Sequence, residues 1–157
     1  MKIGILVYSQ TGNTLSVAGR LAEKLQSAGH EPVLVRISPI GEERMLQPDV
    51  GLKEAAMPDL GFWDALVLAA PVQGFALAPA ARAFLARQPA LPGIKAVCLV
   101  TMFFRFSWLG GNRAIRTMRQ SLQDRGIQVM DSGVVNWSSP GRNRQIETLT
   151  DRLSRLF

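Results

Sequence analysis

The stretch YSQTGNT, Tyr8–Thr14, places four hydroxyls, two carboxamides and one glycine directly after the apolar run IGILV. Where a buried strand hands over to a helix, the first N–H groups of the helix are unpaired and its dipole is positive, which suits an anion. Gly12 lets the backbone come close to a ligand, Ser9, Thr11 and Thr14 offer hydroxyl donors, and Asn13 offers a carboxamide. Thr11 or Asn13 alone would suffice to cap a helix. Four polar side chains and a glycine exceed what a cap needs, so the loop reads as a phosphate cradle. The G-x-x-x-x-G-K-S/T pattern of nucleoside triphosphatases is absent, and so is the glycine-rich dinucleotide fingerprint. Hydroxyls and amides without that lysine suit a monophosphate held without a metal.

The elements that must present this loop are legible in the hydrophobic pattern. Five apolar runs predict strands at Lys2–Tyr8, Val33–Ile37, Ala65–Ala70, Ala96–Thr101 and Gln128–Val135. ALVLAA and AVCLVT are nearly continuous in hydrophobicity, as a parallel strand covered on both faces requires. Helical spacing recurs between them: Leu15 to Leu25 before Gly29, Leu77 to Leu85, Ile115 to Leu122 before Gly126, and Ile146 to Leu156 after Ser138-Ser139-Pro140. Gly41–Phe62 gives a weaker signal, with one short helix expected around Gly51–Ala56. Strands alternating with helices make a doubly wound α/β sheet with right-handed crossovers, and nothing divides residues 1–157 into more than one domain. In such sheets ligands bind beyond the carboxyl ends of the strands. Attention falls on the loops after Tyr8, Ala70 and Thr101.

Composition narrows the function classes. The chain has 157 residues, 47% of them hydrophobic and 19% charged, which excludes a disordered chain. No apolar run approaches the ~20 residues of a membrane span. The N-terminus has no signal-peptide pattern, so a cytoplasmic location is expected. One cysteine, Cys98 in a core strand, permits no internal disulfide, and one histidine, His30 in a turn, is expected to be solvated. Net charge is +6 and uneven: residues 101–157 carry nine arginines against four acids. That field favours anionic partners, but no nucleic-acid motif accompanies it, and no nucleic-acid partner is expected.

In its strand–loop–helix context, SQTGNT resembles the phosphate loop of the flavodoxin family, Ser/Thr-x-Thr-Gly-Asn-Thr, which holds the phosphate of FMN. The resemblance extends over essentially the whole chain through the order of elements. It implies a three-layer sandwich with a five-stranded parallel sheet in the order 2-1-3-4-5 and helices on both faces. It also implies that Ser9, Thr11, Gly12, Asn13 and Thr14 bind the phosphate, with Gln10 at the variable position, and that loops three and four flank the ring. Isoalloxazine asks for apolar walls and for hydrogen-bonding groups at its rim. Loop three supplies Pro71, Val72, Gln73, Gly74 and Phe75. Loop four supplies Thr101, then Phe103, Phe104, Phe106 and Trp108, with Gly110 and Gly111 opening the next helix. Trp137, after strand five, reads as a packing residue rather than a flavin wall.

Two features depart from the short electron-carrier pattern. The only tyrosine, Tyr8, lies in the first strand, and Arg105 and Arg113 stand where acids surround the flavin in those carriers. APVQGF, SWLGGNRAI and GVVNWSS look closer to the NAD(P)H-dependent FMN and quinone reductases of the same fold. The expected function is therefore an FMN-binding redox protein with no catalytic side chain of its own. It would be reduced by NAD(P)H or by a partner reductase, and Arg105 and Arg113 would attract nucleotide phosphates or an acidic partner protein. A homodimer in which a neighbour covers the ring is also consistent with the resemblance. The alternative is a flavin-free binding module on the same fold. A phosphatase or receiver domain is disfavoured, because Ser9 and Gln10 stand where its acidic pair would follow strand one.

Overall fold

Strands with apolar residues on both faces need a helical layer above and below, and the chain provides both. The structure, a computed structural model, describes residues 1–38 and 59–157. The long strands are β1 (Lys2–Val7), β2 (Glu31–Arg36), β3 (Ala65–Gln73), β5 (Lys95–Met102) and β6 (Gln128–Asn136). They pair in parallel in the order β2-β1-β3-β5-β6. Counting only the long strands, this is the expected order 2-1-3-4-5. A two-residue strand, β4 (Ala76–Leu77), pairs antiparallel with the end of β3.

Alternation along each strand sorts side chains to the two layers. Ile3, Ile5, Val7, Val67 and Leu99 pack against Leu21 of α1 (Asn13–Ser27) and Leu149 of α4 (Arg142–Ser154). Leu6, Leu66, Leu68 and Val100 pack on the opposite face, against Phe84 of α2 (Pro79–Ala86) and Met118 of α3 (Gly111–Gln123). Missing side chains set two of these contacts. A Cβ on Gly4 would lie 2.8 Å from the Trp63 ring, and one on Gly133 would lie 2.2 Å from Leu149. Lys24 of α1 bonds Glu147 at 2.5 Å and also Asp151, joining the helices of one layer, and this contact holds the Asp151 carboxyl below its usual range. At the outer edge of the sheet, Asp131 accepts the Ser132 N–H at 2.7 Å and Arg152 donates to the Ser132 carbonyl at 2.9 Å. Side chains thus occupy backbone groups that an edge strand would offer to another chain.

Several boundaries differ from the sequence expectation. β1 ends at Val7, and Tyr8, though buried, begins the loop. β2 starts earlier, at Glu31, because the Glu31 amide bonds the Met1 carbonyl at 2.9 Å as pairing with β1 begins. β3 does not stop at Ala70: it runs through Pro71 to Gln73 and turns back at Gly74-Phe75 into β4. Both turn residues have positive φ, 59° and 58°, as a tight two-residue hairpin requires. The second predicted helix consequently begins at Pro79, with Leu77 in β4. His30 is half-buried rather than solvated, and its Nδ1 has no hydrogen-bond partner among the described residues. The short helix expected around Gly51–Ala56 lies outside the described residues. Of the weak segment Gly41–Phe62, the described end forms a 3-10 turn at Leu60–Phe62, capped by Asp59 accepting the Gly61 N–H at 2.9 Å.

Two outcomes follow. Gly4→Ala drives a Cβ into a rigid indole, and overpacking of this kind costs about 1–3 kcal/mol; urea unfolding should show the midpoint fall, and an unchanged midpoint would contradict the packing. Cys98 is fully buried, and burial pushes its thiol up to about 12. It should therefore resist Ellman's reagent at neutral pH until the chain unfolds, whereas rapid labelling of the native protein would place it elsewhere.

Candidate functional site

Every helix that follows a parallel strand begins at the carboxyl end of the sheet, so loops one, three, four and five meet there. Loop one leaves β1 at Tyr8, whose N–H bonds the Ala69 carbonyl of β3 at 3.0 Å. Gly12 reverses the chain with φ 90° and serves as the N-cap of α1, without a side-chain cap. Ser9 takes over part of that role: its Oγ accepts the N–H of Gly12 at 3.1 Å and of Leu15 at 3.3 Å. The amides of Thr11, Asn13 and Thr14 make no hydrogen bond among the described residues. Loop one therefore has an internal brace and a row of uncommitted donors.

Beneath it, Thr14 and Thr101 are both buried, and their hydroxyls lie 2.7 Å apart. One hydroxyl donates to the other. The second proton of the pair then needs an acceptor, and both residues line a cleft of about 200 Å³. The same cleft is lined by Gln10, Thr11, Asn13, Pro71, Val72, Gln73 and Phe103. Gln73 Nε2 donates to Gln10 Oε1 at 2.7 Å and lies 3.5 Å from the Tyr8 hydroxyl, linking loop three to loop one. Its Oε1 is buried and has no partner among the described residues. A buried acceptor left open beside unpaired donors is a site waiting for a ligand with both kinds of group.

The remaining predicted residues do other work. Gly74 and Phe75 form the hairpin turn, and Phe75 stacks on Phe104 at 5.8 Å between centroids. Gly110 and Gly111 do open α3, but their close approaches are to protein. A Cβ on Gly110 would lie 2.8 Å from the Phe75 backbone, and one on Gly111 would lie 2.7 Å from the Met102 sulfur. Trp108 is 70% exposed and pairs with Phe106 rather than lining the cleft. Of the four aromatics in loop four, Phe103 is the one that lines it.

Two lining residues were not among the predicted ones, Met102 and Trp137. Trp137 packs against the core, as expected, and also lines the cleft. Its N–H bonds the Met102 carbonyl at 2.7 Å, and the Ser138 N–H bonds the Phe103 carbonyl at 3.0 Å, setting loop five beside loop four. Arg142 lies 4.5 Å over the Trp137 ring. Asn136, buried just before it, holds the arrangement: its side chain donates to the Phe104 carbonyl at 2.9 Å and accepts from Gln145 at 3.0 Å and Ser107 at 3.3 Å. The signal for Trp137 was its position at the carboxyl end of a strand; the role of Asn136 depends on partners far away in sequence. A larger groove, about 660 Å³, runs along β6 between α3 and α4, but its Arg152 is engaged by Asp131 at 2.7 Å and by Ser132.

The family model described as Flavodoxin matches residues 5–147. Among solved structures, flavodoxin 1 from Bacillus cereus superposes with a TM-score of 0.71 at 18% identity, covering 99% of this chain and 95% of that one. The flavodoxin of Streptococcus pneumonia TIGR4 gives 0.69 at 15% identity, with all of both chains covered. A flavoprotein from Lactobacillus acidophilus NCFM, solved in complex with FMN, gives 0.64 at 13% identity over 94% of this chain and 97% of that one. No curated protein matches the sequence. A fold, a strand order and a loop-one cradle that agree with a family model spanning residues 5–147 lead to one conclusion: the chain belongs to the flavodoxin family.

Proposed function

We propose that this chain holds FMN in the cleft between loops one, three, four and five and transfers electrons through it. Membership in the flavodoxin family supports FMN as the cofactor. The observation that carries the assignment to this cleft is the buried Thr14–Thr101 hydroxyl pair beneath three unpaired amides. A phosphate oxygen would accept the spare hydroxyl proton and the amides of Thr11, Asn13 and Thr14, with the helix dipole adding to the attraction. Ser9 and Gly12 shape the loop, and Gln10 fixes the Gln73 carboxamide. The open Gln73 Oε1 would accept from an N–H on the ring's polar rim. Phe103 and Trp137 would supply apolar walls, and Pro71, Val72 and Met102 would close the inner end of the cleft. Phe75, Phe104 and Trp108 support or flank this arrangement from outside. Bound FMN supplies the capacity to accept and return one or two electrons.

The protein's part is position and electrostatics. Electrons would arrive from NAD(P)H at the exposed mouth or from a reductase docked there. Steady-state oxidation of NADPH and NADH by the FMN-loaded protein, with a quinone as acceptor, tells the two sources apart. No helix among the described residues is long and apolar enough to cross a membrane.

The hydroxyl pair gives a test that separates a ligand site from a structural bond. The wild-type chain should bind FMN at least about tenfold more tightly than riboflavin, read by quenching of flavin fluorescence. Thr14→Val should weaken FMN by roughly tenfold, about the worth of one hydrogen bond to a charged group, and leave riboflavin little changed. It should also lower stability by about 1–2 kcal/mol, because the Thr101 hydroxyl is left buried alone. Adding Thr101→Val should restore much of that stability without restoring FMN affinity. Equal affinity for FMN and riboflavin in the wild type would overturn the cradle.

Arg142, 4.5 Å over the Trp137 ring, and the other arginines of residues 101–157 should also favour the anionic reduced flavin. The reduction potential of the loaded protein is expected to be highest at low ionic strength and to fall as salt screens them. A potential that rose with salt would contradict this reading.

A further inference from the structure

Helices gain from acids in the first turn, where the dipole is positive, yet α1, α2, α3 and α4 have none there. Two of them carry the opposite sign: Arg113 lies in the first turn of α3, and Arg142 and Arg144 in the first turn of α4. Arg105 in loop four and Arg116 in the second turn of α3 add to this charge. The acids of residues 101–157 do not compensate them. Asp131 bonds Arg152; Glu147 and Asp151 bond Lys24 of α1, in the same layer as α4; Asp124 is at the far end of α3. Among the described residues, Arg113, Arg116 and Arg144 have no carboxylate partner. Loop four also leaves Phe103, Phe106 and Trp108 exposed, two of them 70% in water, with Trp108 stacked on Phe106 and Arg105 lying over the Phe106 ring at 5.1 Å.

Like charge at helix N-termini works against the helices, and exposed aromatics work against solubility. Both become favourable when an apolar surface with an acidic rim covers them. Trp and Arg are also the side chains that dominate binding energy at protein interfaces. Resting on the electron-transfer reading above, we infer that the carboxyl-end face around Trp108 is the docking surface for an acidic redox protein. Such a partner reaches the mouth of the cleft at Phe103 while its carboxylates meet Arg105, Arg113 and Arg144. A second copy of this chain fits worse, because it would bring the same arginines face to face.

An acidic [2Fe–2S] ferredoxin and a basic cytochrome c serve as probes of opposite charge, titrated by calorimetry against both the apo and the FMN-loaded chain. The ferredoxin should bind at low salt and weaken at least about tenfold between 20 and 200 mM salt, the signature of opposed charges. Cytochrome c should bind more weakly throughout. Arg113→Glu with Arg144→Glu should lower ferredoxin affinity at least about tenfold at low salt, and Trp108→Ser should lower it at both salts. Circular dichroism of both variants confirms the fold. Ferredoxin binding that ignores salt or the charge reversal would overturn the inference. So would preference for cytochrome c, recruitment to phosphatidylserine vesicles in place of ferredoxin, or self-association lost in Trp108→Ser. FMN titration of the same samples keeps the two readings apart: a chain that bound ferredoxin in this way but never FMN would retain the docking surface and lose the electron-transfer function.

Discussion

Parallel strands all end on the same side, and each helix that follows must start there with backbone amides that have no partner. The site is built on that constraint. In this chain the unpaired groups are not dispersed. Ser9 accepts the N–H groups of Gly12 and Leu15, while the amides of Thr11, Asn13 and Thr14 have no partner among the described residues. The Thr14–Thr101 bond then ties the start of α1 to the end of β5 across the sheet. Loop three joins through Gln73 on Gln10, and loop five through Trp137 on the Met102 carbonyl. The cleft is the space those bonds enclose.

The rest of the molecule holds these loops in register. Gly110 lets loop four lie against the Phe75 backbone, and the Gly74-Phe75 turn brings Phe75 onto Phe104. Phe75 carries a left-handed backbone conformation that a side chain rarely adopts, so its stacking with Phe104 offsets a local cost. Asn136 reaches into loop four from the end of β6 while Gln145 holds it from α4. Distant elements therefore fix the position of Phe103 and Trp137 as firmly as neighbouring residues do.

Loop one and the long strands were readable because their signals are local, whereas the strand order came from the family resemblance. A dense run of hydroxyls and amides after an apolar strand has few structural uses, and continuous apolar runs mark strands buried on both faces. Loop three was harder. Pro71 and Gly74 look like loop residues, and only pairing with Ala76 and Leu77 turns them into a strand and a hairpin. Loop four announced its aromatics but not their directions, since the direction of each depends on contacts with loops three and five. Phe103 lines the cleft, whereas Phe104 supports Phe75 and Trp108 faces water. Trp137 was legible as apolar, but its second face is set by hydrogen bonds to residues more than thirty positions earlier in the chain.

In the proposed complex, loop one holds the phosphate through amides and hydroxyls alone. Phosphorus-31 NMR of the FMN-loaded protein tests it most directly. The second ionisation of a free phosphate monoester falls near pH 6, so free FMN moves its resonance through about pH 5 to 8. A phosphate held by several N–H and O–H donors should stay a dianion, with a distinct resonance that does not move over that range. A bound signal that titrated like free FMN would put the phosphate in water and contradict the account.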